Sequence, residues 1–206
     1  NLMTNMIHLS VLIALSLSLF HCRGDQSGQA EEEILSKEII GGDTTTQVMK
    51  LDYLELDLPE RHYLVFRQEL AFPDINGFLG MESEALSMAA TKAGVVAAGP
   101  MSALTYKWDI ERGWGDVAVA LPGSAGTQLP PYVTISLPAN KAIALEWTGT
   151  YDRMSAMHVS LDQELLRRGV KPVYPCIEEY PVGPLQVADP HDFQTRIIYA
   201  YETPAQ

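Results

Sequence analysis

Beyond residue 46 the apolar positions fall into short strand-like runs, interrupted by two longer stretches with the helical period. Leu64–Phe66 and Ile143–Leu145 lie at the centres of two such runs and read as strands. Roughly residues 73–93 and 151–168 read as helices. In the second, Met154, Met157, Leu161 and Leu165 recur at spacings of three and four, which gives one buried stripe. Each helix stops at a glycine, Gly94 or Gly169, the residue suited to a left-handed C-cap. Two strands follow each helix: "MSALTYKW" and "DVAVAL" after the first, "CIEEY" and "TRIIYAYE" after the second. Side chains alternate across a strand, so Cys176, Glu178 and Tyr180 share one face and Ile177 and Glu179 the other.

These elements are one unit written twice. Tyr53 aligns with Tyr132, Leu58 with Leu137, Pro59 with Pro138, and Leu64 and Phe66 with Ile143 and Leu145, all 79 residues apart. Gly94 then aligns with Gly169 and Pro100 with Pro175, 75 apart, which requires a four-residue deletion near the start of the second helix. "DVAVAL" from Asp116 and "TRIIYA" from Thr195 return the offset to 79. A strand–helix–strand–strand unit cannot bury its sheet alone. The expected architecture is therefore α+β: tandem duplicated units forming one antiparallel sheet, with both helices on one face. A ligand groove is expected at the seam, on the face opposite the helices. The boundaries are 47–206 for the domain, with repeat one at 47–122 and repeat two at 131–206.

The N-terminus has a different character. Residues 7–20, "IHLSVLIALSLSLF", are apolar, uncharged and too short for a membrane-spanning helix, as in the core of a secretory signal. Cys22 follows, and then polar sequence, an arrangement that resembles a bacterial lipoprotein processing site. Segment 1–22 is thus expected to be a signal with a lipidation-type Cys22, although bulky Phe20 and His21 precede the cysteine where small residues are usual. Residues 23–46 are expected to be a flexible linker.

Charge narrows the partners. The 206 residues carry a formal net charge of −12, which speaks against nucleic acid because phosphate contacts need clustered Lys and Arg. The two cysteines imply no disulfide framework, and no zinc-type cluster, phosphate-binding glycine loop or dinucleotide fingerprint is present. No cofactor and no metal are expected. Asp189 and His191, in "ADPHDF", read as a loop and not as a metal site.

The stretches "VTISLPANKAIALEWTGTYDRM", "LLRRGVKPVYP", "EEYPVGP" and "TRIIYAYETP" resemble the gyrase-inhibitor-like small-molecule-binding domain, which is also the effector-binding half of many bacterial transcription regulators. The resemblance covers roughly residues 48–204. It implies a tandem fold with pseudo-twofold symmetry, a ligand groove at the seam, and a buried glutamate in a Glu-x-Tyr motif that meets cationic or polar ligands. Here that motif points to Glu178, with Tyr180 beside it, whereas repeat one reads Ala103-Leu104-Thr105. Some stand-alone members of the family hydrolyse cyclopropane-containing natural products with a glutamate and an aromatic residue.

The candidate ligand-binding set is Glu178, Tyr180, Trp147, Tyr106, Trp108, Tyr199 and Tyr201, all on expected strands. Glu179 reads as a solvated charge. In the last strand Ile197, Tyr199 and Tyr201 alternate with Ile198 and Ala200, so the tyrosine face is assigned to the groove and the small apolar face to the helices. Trp147 reads equally as a groove-mouth residue or as a core residue covering the helix start. In "WTGTYD", Gly149 permits a tight turn and Thr150 or Asp152 is the expected helix cap. Cys176 reads as a buried small side chain, not a nucleophile. The leading expectation is a non-catalytic protein, exported to the periplasm or cell surface and lipid-anchored. It would hold a small cationic or hydrophobic ligand. The alternatives are a hydrolase using Glu178 with Tyr180 or Trp147 in support, and a protein-interaction module of the envelope.

Overall fold

The computed structural model describes residues 52–202, together with the backbone of 35–37 and 46–48. The chain divides into two compact units, Asn1–Lys50 and Leu51–Gln206. In the first, β1 (Leu35–Lys37) pairs antiparallel with β2 (Thr46–Val48), so the stretch expected as linker contributes one strand of this pair. The apolar run 7–20 and Cys22 lie outside the described residues. Among the described residues no helix is long and apolar enough to cross a membrane.

The second unit holds β3 (Leu54–Leu58), β4 (Arg61–Ala71), α1 (Phe72–Ala93), β5 (Ser102–Asp109) and β6 (Trp114–Gly123). The pattern then repeats as β7 (Val133–Leu137), β8 (Asn140–Thr148), a 3-10 turn at Tyr151–Arg153, α2 (Met154–Arg168), β9 (Pro172–Val182) and β10 (Gln194–Tyr201). All eight strands form one antiparallel sheet in the order β3-β8-β10-β9-β5-β6-β4-β7. β3 belongs to the first repeat but pairs with β8 of the second, and β7 pairs with β4 of the first.

That exchange dictates the curvature. Only Pro59 and Glu60 separate β3 from β4, and only Pro138 and Ala139 separate β7 from β8. Three residue steps span at most roughly 11 Å. Yet β3 lies first in the sheet and β4 seventh, so the sheet must curl until its two ends meet. The inside of the curl tolerates small side chains: Ala118, Ala120, Ala142, Ala144 and Ala200 pack there with Tyr63, Val65, Leu104, Ile177 and Ile198. Leu56 and Leu58 from one end of the sheet join Ile135 and Leu137 from the other in this same cluster. The face expected to carry an open groove is therefore a filled core.

Both helices lie on the outside of the curl. α1 packs Ile75, Phe78, Leu86 and Ala90 against Leu64, Val117, Val119 and Leu121. α2 packs Met157, Leu161 and Leu165, all at most 1% exposed, against Ile143, Leu145, Ile197 and Tyr199. Each of these side chains contributes about 1.5–3 kcal/mol of burial. The expected glycine caps are present: Gly94 has φ 68° and Gly169 φ 67°, with backbone N–H groups turned back onto the last carbonyls. The four-residue deletion is also located, since Tyr151–Arg168 spans 3 + 15 residues where α1 has 22.

One detail of the repeat alignment is corrected. Ala103 pairs with Val119 and Glu178 with Ile197, so the true offset of the final strands is 78, not 79. A slip of one residue exchanges the two faces of a strand. It is why Tyr199 points toward α2 and the small residues Ile198 and Ala200 point into the curl, the reverse of the expected assignment.

Candidate functional site

α1 rests on β4 and β6, and α2 on β8 and β10, which leaves the central strands β5 and β9 between the two helices. In the β5–β9 ladder Ser102 faces Glu179, Ala103 faces Glu178 and Leu104 faces Ile177. With repeats 75 apart, Ala103 is the counterpart of Glu178. The pseudo-twofold axis therefore passes through that pair, and the seam carries one carboxylate on the helix side.

The Glu178 side chain is 17% exposed. Its Oε1 accepts from His158 Nε2 at 2.7 Å, and its Oε2 accepts from the Tyr180 hydroxyl at 2.5 Å. The other imidazole nitrogen, His158 Nδ1, lies 3.0 Å from the Tyr199 hydroxyl. A carboxylate has no proton to give, so Nε2 carries one. Nδ1 then accepts from Tyr199 in the neutral ring or donates to it in the imidazolium. Tyr151, in the 3-10 turn before α2, sets its ring edge-on to Tyr180 at 5.7 Å and packs on Phe193. Cys176 lies one pleat along on the same face, 3% exposed.

Electrostatics separates the two adjacent glutamates. Burial alone would push the Glu178 carboxyl up, but the hydrogen bond and charge of His158, aided by Tyr180, outweigh it and hold the group below the usual carboxylate range. Glu179 points the other way, into the curl, where it lies 3.5 Å from Arg196. Burial pushes its carboxyl up despite Arg196 and Arg61. With a side chain 17% exposed, Glu179 is a half-paired interior charge and not the solvated one expected. Around Glu178, burial and the nearby carboxylate raise Tyr180 well above its ordinary value and push Tyr151 to about 12. The Cys176 thiol is likewise pushed up to about 12, in keeping with its reading as an inert packing residue.

Of the expected ligand-binding set, the structure brings together Glu178, Tyr180 and Tyr199. Trp147 lies on the same face, but its indole N–H donates to the Thr150 carbonyl at 2.9 Å, where it covers the approach to α2. Tyr201 sits further along β10, 3.4 Å from Glu55. Tyr106 faces into the curl under Arg67, whose guanidinium lies 3.6 Å from the ring centroid while it clasps Asp116. Trp108 stacks on Phe72 at the start of α1 and is 51% exposed. The β5 aromatics therefore belong to the other half of the molecule. The Thr150 hydroxyl bonds the Asp152 carboxylate instead of a backbone N–H, so neither caps α2 with its side chain. Asp189 accepts from the His191 N–H and caps its own short 3-10 turn.

His158 was missed by sequence reasoning. The signal was present: it lies four residues after Met154 and three before Leu161, on the margin of the buried stripe. Its counterparts and those of its partners in repeat one are Ser83, Ala103, Thr105 and Leu121, which can make no comparable array. The site is built in one half only. Open depressions of about 510 and 310 Å³ lie elsewhere, at the β3–β4 and β7–β8 links and beside Gly126–Thr134.

No protein-family model matches the chain, and no curated protein sequence does. Solved structures do. The C-terminal domain of EcmrR is similar with a TM-score of 0.64 and 17% identity, over 75% of this chain and 99% of that one. EcmrR in its complex with DNA gives 0.65 and 17% over 74% of this chain, which spans 58% of the EcmrR chain. SAV2435 bound to tetraphenylphosphonium gives 0.55 and 14%, over 75% and 94%. At these identities the likeness is one of fold: an eight-stranded antiparallel sheet with two helices, the α+β architecture that the duplicated pattern implied.

Proposed function

We propose that residues 51–206 form a receptor for small, partly apolar cations, with Glu178 as the counter-charge and Tyr180, Tyr199 and Tyr151 as its aromatic surround. The observation that carries this reading is a single carboxylate placed on the pseudo-twofold axis, between the helices, bonded by Tyr180, with Tyr151 packed on that ring and Tyr199 bonded to the histidine that also holds the carboxylate. An ionised carboxylate in such a setting attracts a cation, and aromatic faces add cation–π attraction. SAV2435, which shares the fold, was solved with tetraphenylphosphonium, a cation of this chemical class. The DNA of the EcmrR complex is not carried over, because a net charge of −12 repels phosphate.

The receptor reading needs an ionised carboxylate, and the hydrogen bonds of His158 and Tyr180 favour the ionised form of Glu178. The protein is further proposed to be exported and anchored by lipid on Cys22, on the strength of the apolar run that precedes it. Loss of the membrane fraction on Cys22→Ala tests the anchor. Calorimetric titration with tetraphenylphosphonium tests the receptor: binding by the native protein, lost on Glu178→Gln, is the expected result. Unchanged binding in that variant would remove Glu178 from the site.

A further inference from the structure

Each oxygen of the Glu178 carboxylate accepts one hydrogen bond, Oε1 from the His158 imidazole and Oε2 from the Tyr180 hydroxyl. Lone pairs remain on both oxygens, but the His158 ring stands 2.7 Å from Oε1, in the space that a bulky cation seated there would need. Tyr180 is two residues from Glu178 on the same strand, and its backbone N–H is fixed to the Met101 carbonyl at 2.9 Å. His158 comes from a different element, α2, and its side chain is 23% exposed, so its ring can swing to solvent by side-chain rotation alone. Building on the receptor reading above, we propose that the His158 imidazole is a resident stand-in for the ligand: it holds the Glu178 site until a ligand arrives, and a cation binds by displacing it.

The consequence is competition between the imidazole and the ligand for one carboxylate. The ring is bonded to Glu178 of β9 and Tyr199 of β10 and lies in the field of Asp162, one turn along α2, while Tyr180, Tyr151 and Cys176 lie near the carboxylate itself. The tyrosines and the thiol have raised pKa values, and Glu178 is held low. Asp162 is pushed up by burial but remains a carboxyl.

Two measurements on the full chain test this. Acylation of His158 by diethylpyrocarbonate, read by mass spectrometry, is slow while both ring nitrogens are hydrogen-bonded. Saturating tetraphenylphosphonium is expected to speed it at least about threefold. Tetraphenylphosphonium affinity is expected to be about tenfold tighter in His158→Ala than in the native protein, because no ring has to leave the site. Binding that leaves His158 protected, or an affinity that His158→Ala does not tighten, overturns the inference and leaves the receptor standing. Binding by His158→Ala alone supports it. Absence of binding by both proteins overturns the receptor reading itself.

Discussion

Replacing Glu178 with glutamine keeps the shape of the side chain and removes its charge. In the native protein its two oxygens accept from two donors, His158 Nε2 and the Tyr180 hydroxyl, in a setting 17% exposed. A glutamine offers one oxygen to His158 and one NH2 group that can donate to the Tyr180 oxygen, so both contacts can persist but without the charge. Weakening two charge-assisted bonds to neutral ones costs about 1–2 kcal/mol at neutral pH. The pH dependence has a fixed sign. Because the folded carboxyl is held low, its stabilisation is complete above the unfolded value of about 4.3 and is lost as pH falls through the lower folded value. Urea unfolding followed by tryptophan fluorescence should therefore show a constant gap between native protein and Glu178→Gln from pH 7 to about pH 5, narrowing below about pH 4. Pairing the change with His158→Ala should return a coupling of about 1–2 kcal/mol. Equal stability at pH 7, or a gap that widens in acid, would refute the described hydrogen-bond array.

Three further outcomes follow from where the other residues lie. Trp108→Ala should leave tetraphenylphosphonium affinity within about twofold of native, since Trp108 stacks on Phe72 in the opposite half; a large loss by calorimetry would move the site. Gly149 has φ 137° and an added Cβ would fall 2.9 Å from the Trp147 ring, so Gly149→Ala should lower stability by about 1–3 kcal/mol in thermal unfolding. Cys176 should resist thiol reagents at pH 8 in the folded protein and react once urea unfolds it, because burial holds its thiol at about 12; fast reaction when folded would place it at the surface.

The local pattern along the chain was enough to read the helices, their glycine stops, the duplication and the solitary carboxylate of the second copy. Each of these is written in neighbouring residues: a period of three to four, a residue free of Cβ, an alternation of two. The same alternation placed Glu178 and Glu179 on opposite faces of β9, but it could not say which face meets a helix. Tertiary structure decided that. β3 and β7 cross to the far halves through two-residue links, the sheet curls to let them, and the inside of the curl accepts alanines while the tyrosine of β10 must turn outward beneath α2. That turn brings Tyr199 and His158 together from 41 residues apart, and His158 onto Glu178 from 20. The periodicity of a chain records that each strand has two sides; only closure of the sheet chooses which side is occupied by core, and so which carboxylate is left for a ligand.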